Sequence, residues 1–170
     1  IIQHTLSVKK GIKKSLLVVD MPKESYYNEK SAKKNALMVK KKTGCDAIKL
    51  ENSKKNYQII KSLVNLNIPV MGHIGYTPQF KKKFRVEGQT KSEATKLLKD
   101  AKAIEKAGAF SIVLECISPI TAKLITSELN IPTIGIGSSY HCDGQILVTD
   151  DMLGISGFYP KFVKKYLNLD

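Results

Sequence analysis

Phe110-Ser111-Ile112-Val113-Leu114-Glu115 is a run of sheet-forming residues closed by a single carboxylate. A stretch this short and this apolar, with no alternation of polar positions, reads as a strand buried on both faces, which is the condition of a parallel sheet covered by helices. Working outward, the same pattern recurs at Leu16-Leu17-Val18-Val19, Ala47-Ile48-Lys49-Leu50, Ile68-Pro69-Val70-Met71 and Ile131-Pro132-Thr133-Ile134-Gly135-Ile136, with a sixth candidate at Gln145-Ile146-Leu147-Val148. Helical stretches separate most of them, roughly Glu24 to Thr43, Lys54 to Leu66, Ser92 to Ala107 and Ser118 to Leu129. Gly44 and Gly108 stand where a helix ends in a left-handed residue, and Asn67 and Asn130 are read in the same role. Pro69 and Pro132 enter strands at their first turn, where no ladder hydrogen bond is lost. The fold class is α/β, a parallel sheet with outer helices.

The residues that end the strands carry the chemistry. Asp20 follows the first run, Lys49 and Glu51 lie at the end of the second, His73 follows the third and Glu115 the fourth. In parallel α/β proteins the site lies at the C-terminal edge of the sheet, so these five side chains are expected to converge. Each also has a plainer reading. Asp20 and Glu51 are hard oxygen ligands suited to Mg²⁺, yet a carboxylate ending a strand equally caps the next helix. Lys49 and Glu51 share one side of their strand, because residues two apart face the same way, and they bind something or simply each other. Glu115, after four apolar residues, suits a general base or a carboxylate held by loop amides. His73, flanked by Gly72 and Gly75, lines a site or is a satisfied core histidine.

Composition narrows the classes. The chain has 170 residues, 42% hydrophobic and 25% charged, enough for one domain with a core. A complete (β/α)8 barrel needs about 250 residues, so a barrel reading implies missing elements. The formal charge of +13 would ordinarily suggest a phosphate-rich partner. However, of 28 basic residues only Arg85 is arginine, and the lysines are scattered from Lys9 to Lys165. That distribution suits solvated helix faces, so neither nucleic acid nor membrane is expected as partner. Cys45, Cys116 and Cys142 are odd in number, lack metal spacing and sit beside apolar runs, as reduced thiols of a cytoplasmic protein do. The absence of an initiator methionine suggests processing or a start inside a larger protein. Gly135-Ile136-Gly137 does not complete a dinucleotide fingerprint.

Met71-Gly72-His73-Ile74-Gly75-Tyr76-Thr77-Pro78-Gln79 closely resembles the MGHxGxTPQ stretch of the ketopantoate hydroxymethyltransferases. Leu16 to Pro22 is similar to that family's LLVADMP, Ile48 to Glu51 to its VKLE, and Val113 to Cys116 to its VLEC. Ile131 to Gly137 and Cys142 to Val148 resemble IPTIGIG and CDGQxLV. The resemblance spans nearly the whole chain and implies a partial (β/α)8 TIM-type barrel, roughly strands 3 to 8, forming a single partial domain over residues 1–170. It implies transfer of a hydroxymethyl group from 5,10-methylenetetrahydrofolate to 3-methyl-2-oxobutanoate, giving 2-dehydropantoate in pantothenate biosynthesis. Carried over by motif, Asp20 and Glu51 match metal-site carboxylates for Mg²⁺, Asp20 and Lys49 match substrate contacts, and Glu115 matches the proton acceptor. The implied partners are a small 2-oxo acid and the folate, in a homo-oligomer that is often decameric. The family's opening segment, with two strands and an Asp-Ser pair that binds metal and substrate, has no counterpart, and Ile1 to Gly11 resembles the helix before its third strand. Lys23, Arg85 to Gln89 and Gly137-Ser138-Ser139 depart from its pattern. A non-catalytic barrel remnant with exposed edge strands and another Mg²⁺-dependent lyase of 2-oxo acids are the competing expectations.

Overall fold

The computed structural model describes residues 1–51, 56–157 and 159–169. After α1 (Ile2–Gly11) come β1 (Val18–Asp20), α2 (Glu29–Thr43), β2 (Ala47–Glu51), α3 (Asn56–Val64) and β3 (Val70–Gly75). They are followed by α4 (Lys91–Lys106), β4 (Ser111–Glu115), α5 (Pro119–Glu128), β5 (Thr133–Ile136), β6 (Gly144–Gln145) and α6 (Thr149–Leu153). The six strands form one sheet in the order β1-β2-β3-β4-β5-β6, every neighbouring pair parallel. Sequential order with helical crossovers is the arrangement of a barrel wall, and this chain builds a half-barrel.

Strand alternation divides the sheet into two chemically different faces. Toward the helices point Ile48, Leu50, Val70, Ile74, Ile112 and Leu114, all between 0% and 3% exposed. Each such burial contributes roughly 1.5–3 kcal/mol. Gly72 belongs to this face and lets α4 approach, since a Cβ there would lie 2.6 Å from Ile104 Cγ2. The opposite face is the inside of the barrel wall. There Val18, Met71 and Ile134 are only partly buried, and it is this side that carries the polar strand-end residues.

Local signals explain the helix limits. Asn28 caps α2 by accepting the Ser31 N–H at 2.8 Å, and Ser31 Oγ accepts the Asn28 N–H in return, a reciprocal cap. This moves the start of α2 to Glu29, later than the expected Glu24. The preceding residues form a turn, in which Ser25 N–H donates to the Pro22 carbonyl and Glu24 takes a φ of 72°. Residues 54 and 55, where the sequence reading began α3, lie outside the described residues. Gly44 and Asn67 are left-handed as expected, with φ of 63° and 57°. Asn130 is not; Leu129 ends α5 in an extended conformation, and the Asn130 N–H donates to Glu105 Oε1.

Two strand limits also differ from expectation. β3 runs on to Gly75, so His73 lies within the strand rather than after it. β6 is shorter and earlier than Gln145 to Val148, and residues 137–143 join it to β5 without a helix. That connection turns back because Asp143 Oδ2 accepts both the Thr133 N–H (2.8 Å) and hydroxyl (3.0 Å), pinning the loop to the start of β5.

At the other end of the sheet, Gly75 has a φ of 94°, and a Cβ there would lie 2.1 Å from the Glu115 carbonyl oxygen and 2.7 Å from Ile117 Cγ1. The same carbonyl accepts the Tyr76 N–H at 2.8 Å. We therefore expect Gly75→Ala to destabilise the fold by about 2–4 kcal/mol, through left-handed strain and a backbone clash together. Urea unfolding measures it, and a loss below about 0.5 kcal/mol would contradict the close approach.

Candidate active site

Register brings the strand-end residues together. Asp20 pairs with Lys49, Glu51 with His73, and Gly75 with Glu115 across successive strands. Residues paired directly in a parallel ladder share a face, and alternation puts Lys49 and Glu51 on the same side of β2. The five expected residues thus line the inner face at the C-terminal edge of the sheet.

Four of them form a continuous row. Lys49 Nζ lies 3.0 Å from Asp20 Oδ2 and 3.4 Å from His73 Nδ1. On the far side of the ring, His73 Nε2 lies 3.1 Å from Glu115 Oε2. That last contact is close but not aligned as a full hydrogen bond, and Nε2 is otherwise without a partner. The Asp20 cap reading fails, because Asn28 caps the next helix. Lys49 pairs with Asp20 instead of Glu51, so the simple Lys49–Glu51 pair is not what forms.

Glu51 is 1% exposed, and its Oε2 accepts the Gln79 N–H at 3.0 Å. Burial raises its pKa to about 7, with the Gln79 N–H opposing, the Asp20 charge adding and Lys49 opposing in turn. This carboxylate is held where its charge is expensive unless a cation is near. Asp20 Oδ1 is also buried without a partner. Two hard oxygen donors with unmet demand for positive charge fit a small divalent ion such as Mg²⁺, which takes one or two carboxylates and completes its shell with water and substrate oxygens. Among the described residues no group of three His, Cys, Asp or Glu side chains is gathered to enclose a metal. Any such ion would have to draw further ligands from elsewhere.

His73 is 1% exposed, and burial pushes its pKa down, Glu115 pulling it up and Lys49 pressing it down further. The ring is therefore neutral at ordinary pH. Cys116, next to the candidate base, is buried and free, its thiol raised to about 12 by burial and then by Glu115. It is no nucleophile at neutral pH. Cys45 and Cys142 are buried free thiols as well.

Sequence reasoning missed two supporting residues. Gln79 links the edge together, its amide Nε2 donating to the Met21 carbonyl at 3.1 Å while its backbone holds Glu51. Tyr26, 2% exposed, donates its hydroxyl to Gln79 Oε1 at 3.3 Å. Burial and the charges of Glu51 and Asp20 keep that phenol protonated by raising its pKa. Gln79 ends the longest motif, so the motif marked it. Nothing in the periodicity marks Tyr26. A cavity of about 710 Å³, walled in part by Lys23, Tyr27 and Phe80, has Tyr26 in its lining as well.

The loop between β3 and α4 holds the departure at Arg85 to Gln89. Glu87 is 7% exposed and ion-paired to Lys81 (3.0 Å) and Arg85 (3.0 Å), while its backbone bonds to Cys116 and Ser118. Its role here is to tie the loop to the segment after β4.

Comparison with solved structures supports the barrel architecture. A putative phosphonomutase from Burkholderia cenocepacia J2315 superposes with a TM-score of 0.61 at 14% identity, covering 79% of this chain and 58% of that one. The carboxyl transferase domain of Rhizobium etli pyruvate carboxylase, with 3-bromopyruvate, gives 0.58 at 16% identity, covering 79% and 24%. At such identity the likeness is one of fold. The sequence relatives are much nearer. The 3-methyl-2-oxobutanoate hydroxymethyltransferase of Pelagibacter ubique (strain HTCC1062) is 52% identical over 169 residues, covering 99% of this chain and 66% of that protein. Its namesake from Clostridioides difficile (strain 630) is 51% identical over 174 residues, covering 99% and 63%. The chain thus spans just under two thirds of the length of these curated relatives. The family model described as ketopantoate hydroxymethyltransferase matches residues 1–170. With the strand-end row lying on the motifs that drew the resemblance, the chain belongs to the ketopantoate hydroxymethyltransferase family.

Proposed function

We propose that the protein transfers the hydroxymethyl group of 5,10-methylenetetrahydrofolate to 3-methyl-2-oxobutanoate, yielding 2-dehydropantoate for pantothenate synthesis. The observation that carries this reading is the charge balance of the row. Three carboxylates, Asp20, Glu51 and Glu115, share the edge with one lysine among the five strand-end residues, and Glu51 and one oxygen of Asp20 are buried. Such a site favours a cation together with an anionic, oxygen-rich substrate.

Asp20 and Glu51 hold Mg²⁺ in this reading. When bound, the ion supplies Lewis-acid stabilisation to negative charge on the keto oxygen of the substrate. Lys49, already fixed beside Asp20, pairs with the substrate carboxylate, and Asp20 contributes to the same contact. Glu115 removes the proton from C3 of the 2-oxo acid, leaving the electron pair on a carbon flanked by the carbonyl. That carbon forms a new bond to the folate-borne one-carbon unit, water supplies the hydroxyl oxygen, and tetrahydrofolate leaves as the amine. We place this activity in the cytoplasm, in a homo-oligomer, a decamer by analogy with the family. No helix among the described residues is long and apolar enough to cross a membrane.

Incubating the intact protein with both substrates and Mg²⁺ tests the reaction, and absence of 2-dehydropantoate would overturn it. Glu115→Gln is expected to slow exchange of the substrate C3 proton into solvent by about 10²–10⁴-fold. Mg²⁺ affinity should change by less than about 3-fold, since Glu115 is not among the proposed ligands. Undiminished exchange in that variant would remove Glu115 from the role of base.

Glu51→Gln separates metal binding from stability. A carboxyl whose native pKa of about 7 lies above its unfolded value binds more protons folded than unfolded between the two. Its favourable contribution is then lost as pH rises through about 7. Without metal, the variant should exceed the wild type in stability by about 1–3 kcal/mol near pH 8 and match it near pH 5. With Mg²⁺ present the order reverses, because only the wild type gains from binding. Urea unfolding with and without a chelator reads both arms, and equal stabilisation of the two proteins by Mg²⁺ would dismiss Glu51 as a ligand.

A further inference from the structure

We propose that His73 is a positioning residue for Glu115, fixed as the neutral tautomer with its proton on Nε2 by the Lys49 ammonium at Nδ1. The proposal deepens the reading of Glu115 as the base and rests on it.

The argument is one of donor and acceptor inventory. A lysine ammonium has three donors and no acceptor, so a hydrogen bond between Lys49 Nζ and His73 Nδ1, here 3.4 Å, requires a lone pair on Nδ1. A neutral imidazole with a bare Nδ1 carries its hydrogen on Nε2. Nε2 lies 3.1 Å from Glu115 Oε2. The ring is 1% exposed, and its register partner in β4 is Val113. Lys49 is itself anchored by Asp20 at 3.0 Å. The order of the row, Asp20, Lys49, His73, Glu115, thus passes a fixed polarity from the metal end of the edge to the base.

The geometry of the last contact has a use. An aligned hydrogen bond from imidazole to carboxylate would stabilise the ionised form strongly and blunt it as a base. The observed contact is close but off-axis, with Nε2 lacking an aligned acceptor. A bent bond is weak. The 3.1 Å approach of Nε2 still restrains where Oε2 sits. Positioning within a few tenths of an ångström is what proton abstraction from carbon requires.

The intact protein labelled with ¹⁵N-histidine tests the tautomer directly. His73 is buried whereas His4 and His141 are exposed, and its resonances are assigned by their loss in H73Q. Its Nδ1 should show the shift of a bare ring nitrogen and its Nε2 that of a protonated one; the reverse pattern overturns the proposal. Two variants then test the positioning. In H73Q the amide nitrogen reaches the place of Nε2 and keeps a donor toward Glu115, while in H73N the amide stops at the place of Nδ1. We expect kcat for C3 proton exchange within about 10-fold of wild type for H73Q and about 10²-fold lower for H73N, with KM changed less than about 3-fold in both. Equal losses in the two variants would show a packing role only and overturn the inference while the base assignment stands. Undiminished exchange in E115Q would instead overturn the base assignment, and the positioning role with it.

Discussion

Lys49 is the one positive charge among the five strand-end residues, set beside Asp20, Glu51 and Glu115 at the edge of the half-barrel. Without its 3.0 Å contact to Asp20 and its 3.4 Å contact to His73, three carboxylates and a neutral imidazole would face one another across adjacent parallel strands with no local compensation. Like charges at such spacing push protons onto one another or push the strands apart. A lysine on β2 that reaches both neighbours offsets the polarity of the inner face. The helix face can be uniformly apolar because the charges are all on the other side.

The supporting parts act on the backbone more than on the side chains. Gly75 brings β3 against the Glu115 carbonyl, Tyr76 donates to that carbonyl, and the Cys116 N–H donates to Ile136. Glu115 is thus held from both neighbouring strands. Cys116 itself takes a φ of 50°, an uncommon conformation for a side-chain-bearing residue. Local strain of this kind, about 1–3 kcal/mol, persists where surrounding structure over-determines it, and here it immediately follows the candidate base. Gln79 performs the matching service for Glu51, with Tyr26 behind it. The loop that carries Gln79 returns to the sheet through Glu87, clasped by Lys81 and Arg85. The exposed members of that cluster contribute little each; the buried Glu87 gives them a common point.

Much of the architecture was legible in the residues. Short apolar runs between helical stretches announced a parallel sheet, and five of the six strands fall on the expected runs or within a few residues of their ends. The weakest reading was the sixth. Gln145 to Val148 has the composition of a strand, yet pairing stops at Gln145, because the position of this segment is set by the Asp143–Thr133 contact rather than by its own propensity. The start of α2 shifted for a similar reason. Helix-forming residues from Glu24 onward yielded to a reciprocal cap at Asn28.

The sequence by itself determined which chemistry could appear at the sheet edge, because in a parallel sheet the residue that ends a strand ends up at the C-terminal rim whatever the helices do. Asp20, Lys49, Glu51, His73 and Glu115 were identified on that ground, and the family likeness lies on the same residues. Which of them touch was decided only by the tertiary structure. Lys49 and Glu51 are close in the chain and opposite in charge, yet Lys49 turns to Asp20, its level partner on β1, and reaches His73 on β3, while Glu51, level with His73, is bonded to Gln79. Periodicity states the face a side chain takes. The partner it finds depends on cross-strand register and on loop amides brought from far along the chain.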